Sequence, residues 1–414
     1  MSERPDVLVV GAGFAGMYAI YRFRRQGLSV LALEAGSDVG GTWYWNRYPG
    51  ARCDVPSLEY SYGFSEDLEQ EWDWPEVFSA QPDILRYANH VADRFDLRRH
   101  IRFDTRVTSV TYQEETNLWR LQTDAGDELE ARFCVMATGC LSVPNTPDFA
   151  GADAFQGQVL HTGRWPKEPV DLSGKHVAII GTGSSGVQAI PELAREAAHL
   201  TVFQRTPVYT VPANRKAMRA AVQDEFRQNY RQIRDMQQAN AGGVSGFRPL
   251  KSTSRTERAA DRTLSLPSAV PMAPEQGVPS ILNLTEEERR HLVRERGLGV
   301  LLAFRDAYTN PEANEAANAA FRDGIRDLVN DPGTAEILCP TTCGLGCNRQ
   351  VLDRDYYDSF VRDIVTLVGV QADPSEAISS AGFRARERAC GCEVLGYGGG
   401  CVAGSGGVRR AGCR

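Results

Sequence analysis

Apolar runs of four or five residues alternate with stretches of helical spacing up to about Arg215. Val7-Leu8-Val9-Val10 is the first run. Ser29-Val30-Leu31-Ala32-Leu33, Phe133-Cys134-Val135-Met136, Val177-Ala178-Ile179-Ile180 and Leu200-Thr201-Val202-Phe203 follow it. Short runs without polar alternation predict strands buried on both faces, as in a parallel sheet covered by helices. A smaller β-rich stretch, Ile101 to Val110 and Trp119 to Leu121, sits inside this pattern. From Lys216 to about Asp331 the spacing turns helical and rich in Arg, Glu, Gln and Ala, with a polar interruption from about Lys251 to Ser280. Strand character resumes near Ile364-Val365-Thr366-Leu367-Val368. The alternation predicts a doubly wound α/β architecture with a helical insertion.

Two of the runs lead straight into glycine-rich turns. Gly11-Ala12-Gly13-Phe14-Ala15-Gly16 follows the first, and Gly181-Thr182-Gly183-Ser184-Ser185-Gly186 follows Val177–Ile180. In such a turn the first glycine permits the tight bend, the second lets a pyrophosphate approach the backbone, and the third lets helix pack on strand. The helix that follows offers unpaired N–H groups and a positive dipole end to phosphates. The residue ending the next strand reads the ribose. After the first motif it is Glu34, a carboxylate suited to a ribose diol; after the second it is Gln204-Arg205, with an arginine suited to a 2′-phosphate. The fold class expected is therefore α/β with two Rossmann-like dinucleotide-binding domains, one for FAD and one for NADPH.

Composition narrows the setting. A net charge of −7 over 414 residues gives no support for nucleic-acid or anionic-membrane partners. No apolar run approaches the ~20 residues of a membrane span, and Met1 to Asp6 leaves no room for a signal peptide. A cytoplasmic protein with mostly reduced cysteines is expected. Cys339, Cys343 and Cys347 recur every four residues, but Pro340 and Gly344 break any helix and no nearby His completes a zinc set, so no metal is expected.

A third motif, Phe155-x-Gly157-x-x-x-His161-x-x-x-Trp165-Pro166, precedes the second glycine turn. It resembles the signature of type I Baeyer–Villiger monooxygenases of the cyclohexanone and phenylacetone monooxygenase group. Locally, His161 also reads as a linker histidine bonded to backbone, with Phe155 and Trp165 packing as core. Gly40 to Asp54 resembles that family's flavin-side loop, Gln204-Arg205-Thr206-Pro207 its NADP-phosphate loop, and Asn348-Arg349 falls where it carries Lys-Arg. The resemblance implies an NADPH- and O₂-dependent enzyme that inserts oxygen beside a ketone carbonyl, giving an ester or lactone through a C4a-peroxyflavin. It implies that Arg349 is the catalytic cation and Asp54 the carboxylate orienting it. It also implies that Gly41, Thr42, Trp43, Asp54, Tyr60 and Val107 join Phe14 around the flavin, and that Ser184, Ser185 and Thr206 join Arg205 around NADPH.

Asn348 removes one cation from the expected 2′-phosphate clamp, leaving more of the preference to Arg205. Domain limits follow as residues 1–140 (first part of the FAD-binding domain), 141–211 (first part of the NADP-binding domain), 212–331 (helical insertion), 332–368 (return to the NADP-binding domain) and 369–414. The last segment reads as the start of a return to the FAD domain that is cut short. Its Gly-, Cys- and Arg-rich tail resembles out-of-frame reading, and poor packing is expected from about Ala385. Two other functions stay open: a flavin-containing monooxygenase oxidising N or S, and a non-catalytic nucleotide-binding remnant.

Overall fold

The computed structural model describes residues 4–212, 217–239, 280–298, 301, 304, 306–347, 351–370, 377–385 and 388–398. Its first unit runs β1 (Val7–Val10), α1 (Phe14–Arg25), β2 (Val30–Leu33), α2 (Thr42–Trp45), α3 (Glu66–Glu71), α4 (Gln81–Arg94), β3 (Ile101–Arg102), β4 (Val107–Gln113), β5 (Leu118–Thr123), β6 (Glu128–Ala131) and β7 (Phe133–Met136). Strands β3-β2-β1-β7 pair in that order, all parallel. Strands β4-β5-β6 form an antiparallel sheet beside them.

Burial explains the apolar runs. Val7, Leu8 and Val9 have no exposed surface, because α1 and α4 cover one face of the sheet and the β4–β6 sheet the other. Helix α4 turns Ile84, Tyr87, Ala88 and Val91 inward, spaced i, i+3, i+4 and i+7 as one buried helical face requires. Helix α1 ends in Arg22, Arg24 and Arg25, which complement the negative end of its dipole, and the chain turns away at Gly27 with φ +81°.

The second unit contains β8 (Gln158–His161), β9 (His176–Ile180), α5 (Ser184–Glu196), β10 (His199–Gln204), β11 (Thr210–Pro212), β12 (Val351–Asp353), β13 (Val365–Gly369), β14 (Ala377–Ser379), β15 (Gly382–Ala385), β16 (Arg388–Gly391) and β17 (Val394–Tyr397), and helix α6 (Ala220–Ala239) follows β11 in the chain. Five parallel strands stand in the order β13-β10-β9-β17-β8. Strands β11 and β12 form a separate parallel pair, and β14-β15-β16 an antiparallel meander.

Position β17 corrects the expectation for the tail. The segment from Arg388 to Tyr397 is paired rather than loose: Arg388 to Gly391 closes the β14-β15-β16 meander and Val394 to Tyr397 joins the second sheet rather than the first. Val394 to Tyr397 lie between β9 and β8, with Val394, Leu395 and Tyr397 all buried. Two parallel neighbours satisfy the strand's backbone, which a Gly- and Cys-rich composition does not prevent. Residues 399–414, with Cys401 and Cys413, lie outside the described residues.

Among the described residues the helical segment divides between the two units. Helix α6 packs Val222, Phe226 and Ile233 onto the first unit, where Arg234 meets the buried Glu69 at 2.7 Å. Helices Glu286–Arg296 and Pro311–Leu328 pack instead on the second unit. The expected polar interruption, apart from Ser280, lies outside the described residues. Among those residues no helix is long and apolar enough to cross a membrane.

Candidate cofactor and active site

The two glycine turns are built alike. Gly11 and Gly181 share a φ of +104°, which favours glycine. Gly11 N–H donates to Leu33 O at 2.8 Å and Gly181 N–H to Phe203 O at 2.9 Å, so each turn hangs from the end of the neighbouring strand. A Cβ on Gly16 would lie 2.0 Å from Gly11 O, and one on Gly186 2.3 Å from Gly181 O. The third glycine of each motif thus lets its helix press against its own turn. In the first unit Ala137, just past β7, closes the turn, its oxygen 2.6 Å from where a Gly11 Cβ would be. Gly398, just past β17, takes the same place beside Gly181 at 3.3 Å.

At the first turn, Gly13 meets Gly41. A Cβ on Gly41 would sit 2.7 Å from Gly13 Cα, and Gly41 has φ +54°. Gly40 N–H donates to Ala12 O at 3.2 Å, joining the flavin-side loop to the glycine turn. Thr42 then opens α2, and Trp43 is buried with its Nε1–H on the Tyr60 hydroxyl at 3.0 Å. Phe14 stacks on Tyr62 at 5.2 Å and tilts against Tyr60 at 5.6 Å.

Glu34 is buried, and its two oxygens accept Ala12 N–H at 2.7 Å and Gly36 N–H at 2.8 Å. Burial pushes its carboxyl above the ordinary range, against the pull of those N–H groups. Each oxygen retains a second lone pair for a hydroxyl. Val107 is buried in the apolar cluster that also holds Leu33 and Ala131, two residues after Thr105, whose N–H donates to Glu34 O at 2.9 Å. Asp54 is half-buried, in a loop held to the segment 77–79 by Cys53 N–H on Ser79 O and Ser57 N–H on Val77 O.

At the second turn Gly183 and Ser184 are exposed, and a Cβ on Gly183 would meet nothing within 4 Å. Ser185 is half-buried on the first turn of α5. Arg205 and Thr206 are exposed at the end of β10, and Thr182 Oγ1 donates to Thr206 O at 3.2 Å, tying turn to loop. Gln204, by contrast, is buried and donates to Ile337 O at 2.6 Å. Asn348 and Arg349 lie outside the described residues; they stand just before β12, which pairs with β11.

The third motif is a junction. Gly157 allows close contact, since a Cβ there would lie 2.4 Å from Glu393 O. His161 Nδ1 accepts Gly163 N–H at 2.9 Å and its Nε2 faces Asn145 O at 3.3 Å, the pattern of a neutral imidazole. Burial holds its pKa below the ordinary value. Phe155 and Trp165 pack against the apolar clusters of the second unit. Pro166 lines a cleft of about 500 Å³ together with Arg47 and Gln81 of the first unit.

Two residues that link the units were missed by the sequence reading. Gln188 on α5 accepts from Tyr48 OH at 2.8 Å and donates to Arg52 O at 3.2 Å. Its signal was a polar residue within the apolar run Val187 to Ile190. Lys167 donates to Ser37 Oγ at 3.0 Å and lies 5.0 Å above the Tyr44 ring.

Residues 8–248, more than half of the chain, match the family model for pyridine nucleotide-disulphide oxidoreductases. A Baeyer-Villiger monooxygenase of Pseudooceanicola batsensis is 40% identical over 383 residues, 92% of this chain and 65% of that protein. Oxidized steroid monooxygenase bound to NADP is 44% identical with a TM-score of 0.84, over 98% of this chain and 73% of that one. The chain belongs to the type I Baeyer–Villiger monooxygenase family. The structure of OTEMO in complex with FAD and NADP superposes with a TM-score of 0.86 at 35% identity, covering 100% of this chain and 74% of that one. Like these relatives, the chain carries two dinucleotide-binding folds and a helical part. The chain spans about two thirds of the length of its curated relative.

Proposed function

We propose that this chain binds FAD on the first glycine turn and NADPH on the second, and with O₂ inserts an oxygen next to a ketone carbonyl to give an ester or lactone. The observation that carries this reading is the pair of matched turns with opposite ribose-reading ends, buried Glu34 after one and exposed Arg205 after the other. The backbone leaves room for a pyrophosphate at Gly183, where a Cβ would meet nothing within 4 Å, and the missing side chain of Gly13 lets Gly41 approach the first turn. Relatives with both dinucleotides bound support the same assignment.

When bound, the flavin supplies the redox and oxygen chemistry, and the protein supplies position and electrostatics. Phe14, Gly41, Thr42, Trp43 and Tyr60 would hold it; Ser184, Ser185, Arg205 and Thr206 would hold the nicotinamide dinucleotide. Arg349 takes the role of the permanent cation, because a guanidinium keeps its charge and presents a rigid fork to developing negative oxygen. Asp54 takes the role of its orienting carboxylate. Lys167 and Gln188 fix how the two units face each other, which sets where the hydride donor meets its acceptor.

The test is incubation of the FAD-supplied chain with NADPH, O₂ and a panel of cyclic and aryl ketones, with products read by mass spectrometry. Esters or lactones carrying one atom of labelled O₂ are expected. Sulfoxides from added sulfides with no ketone product would favour a heteroatom monooxygenase, and no product at all would favour a nucleotide-binding remnant.

A further inference from the structure

Gln188 stands one turn along α5 from Ser184, about 6 Å below the helix end expected to seat the NADPH pyrophosphate. Its side chain bonds across to the first unit. Oε1 accepts the Arg52 N–H at 3.3 Å and the Tyr48 hydroxyl at 2.8 Å, while Nε2 donates to Arg52 O at 3.2 Å. One primary amide thus occupies both backbone groups of Arg52, as a paired strand would. With an N–H facing one end and a carbonyl the other, only one setting of the amide satisfies all three bonds. The backbones also come close: Gly50 has φ +81°, and a Cβ there would lie 2.2 Å from Gln188 O.

On its other side the loop is held by its own unit. Arg52 bridges Ala80, Gln81 N–H donates to Ala51 O at 2.9 Å, and Cys53 N–H donates to Ser79 O at 3.0 Å. Asp54 follows directly, so the carboxylate assigned to orient Arg349 leaves a loop gripped from both units. We propose that Gln188 is a positioning residue for oxygen transfer, coupling dinucleotide occupancy at the start of α5 to the placement of Asp54. The proposal rests on the reading of α5 as the NADPH seat. A dinucleotide that orders the first turn of α5 also orders Gln188, and the loop held by its amide tightens with it.

The test uses the full chain with FAD, read by hydrogen–deuterium exchange in peptides spanning residues 48–54 with and without saturating NADP⁺. NADP⁺ should slow exchange there at least about threefold in the unaltered chain. Gln188→Met keeps the side chain's length and loses its three bonds; it should bind NADP⁺ and show no slowing. Equal slowing in the two chains overturns the proposal, and so does no slowing in the unaltered chain with NADP⁺ bound. Should Gln188→Met not fold, Gln188→Glu replaces it, since it keeps the acceptor and loses the donor to Arg52 O. A smaller slowing than in the unaltered chain is then expected, and an equal one overturns the proposal. In turnover, product per NADPH consumed should fall about tenfold in the variant, with hydrogen peroxide rising to match. An unchanged yield removes Gln188 from the positioning role. The exchange measurement needs no turnover, so its failure is distinct from failure of the monooxygenase reading, which rests on product formation.

Discussion

Gly41 and Gly13 face each other backbone to backbone, closely enough that a Cβ on Gly41 would stand 2.7 Å from Gly13 Cα. The contact joins the loop that begins at Gly40 to the glycine turn. Gly41→Ala would clash there and would also hold alanine at φ +54°, a cost of roughly 1–3 kcal/mol on its own. We expect flavin affinity to fall at least about tenfold while the second sheet stays folded. Flavin-to-protein ratio after gel filtration, beside a circular dichroism spectrum, checks this.

Leu395 has no exposed surface and sits mid-strand between β8 and β9. Leu395→Ala should destabilise the second unit by about 2–5 kcal/mol, the cost of a cavity in a closed core. A surface leucine would cost far less. Urea unfolding monitored by circular dichroism reads the difference, and an unchanged midpoint would mean the tail is not part of the core.

Asp353 on β12 is buried, with Oδ2 lacking a hydrogen bond. Burial raises its carboxyl to about 6, against the pull of the Thr210 hydroxyl and the Tyr356 N–H. The folded state therefore binds more protons than the unfolded one between about pH 4 and 6. This residue's contribution to stability falls as pH rises through that window, by about 3 kcal/mol in all, and is flat above it. Asp353→Asn should remove that slope and raise Tm at pH 7.5. Tm measured against pH for both chains decides it.

Arg349→Ala should abolish ester and lactone formation and leave bound flavin and NADPH oxidation measurable, because the cation is assigned to the oxygen-transfer step. Asp54→Ala should lower the same product without abolishing it. Product per NADPH consumed separates the two variants, and lactone formed by Arg349→Ala would remove the residue from its assigned role.

Both glycine turns were legible because each carries its own context: an apolar strand, a helix and a second strand within one local segment. The places of Glu34 and Arg205, just past the ends of β2 and β10, needed no tertiary information. Strand β17 was not legible, since Val394-Leu395-Gly396-Tyr397 is too short to show a period and sits among glycines and cysteines. Part of that glycine content answers to packing: a Cβ on Gly398 would lie 2.7 Å from Gly181 O. The polar contacts of Gln188, Lys167 and Asp353 were also hidden. They join segments far apart in the chain, and nothing local marks the partner.

The most direct test of the central claim is the visible spectrum of the purified chain after gel filtration, followed by anaerobic addition of NADPH. Near-stoichiometric oxidised flavin that bleaches on NADPH addition is the predicted result, because it requires both dinucleotide sites and their correct facing. A colourless protein, or bound flavin that NADPH leaves oxidised, would contradict the account.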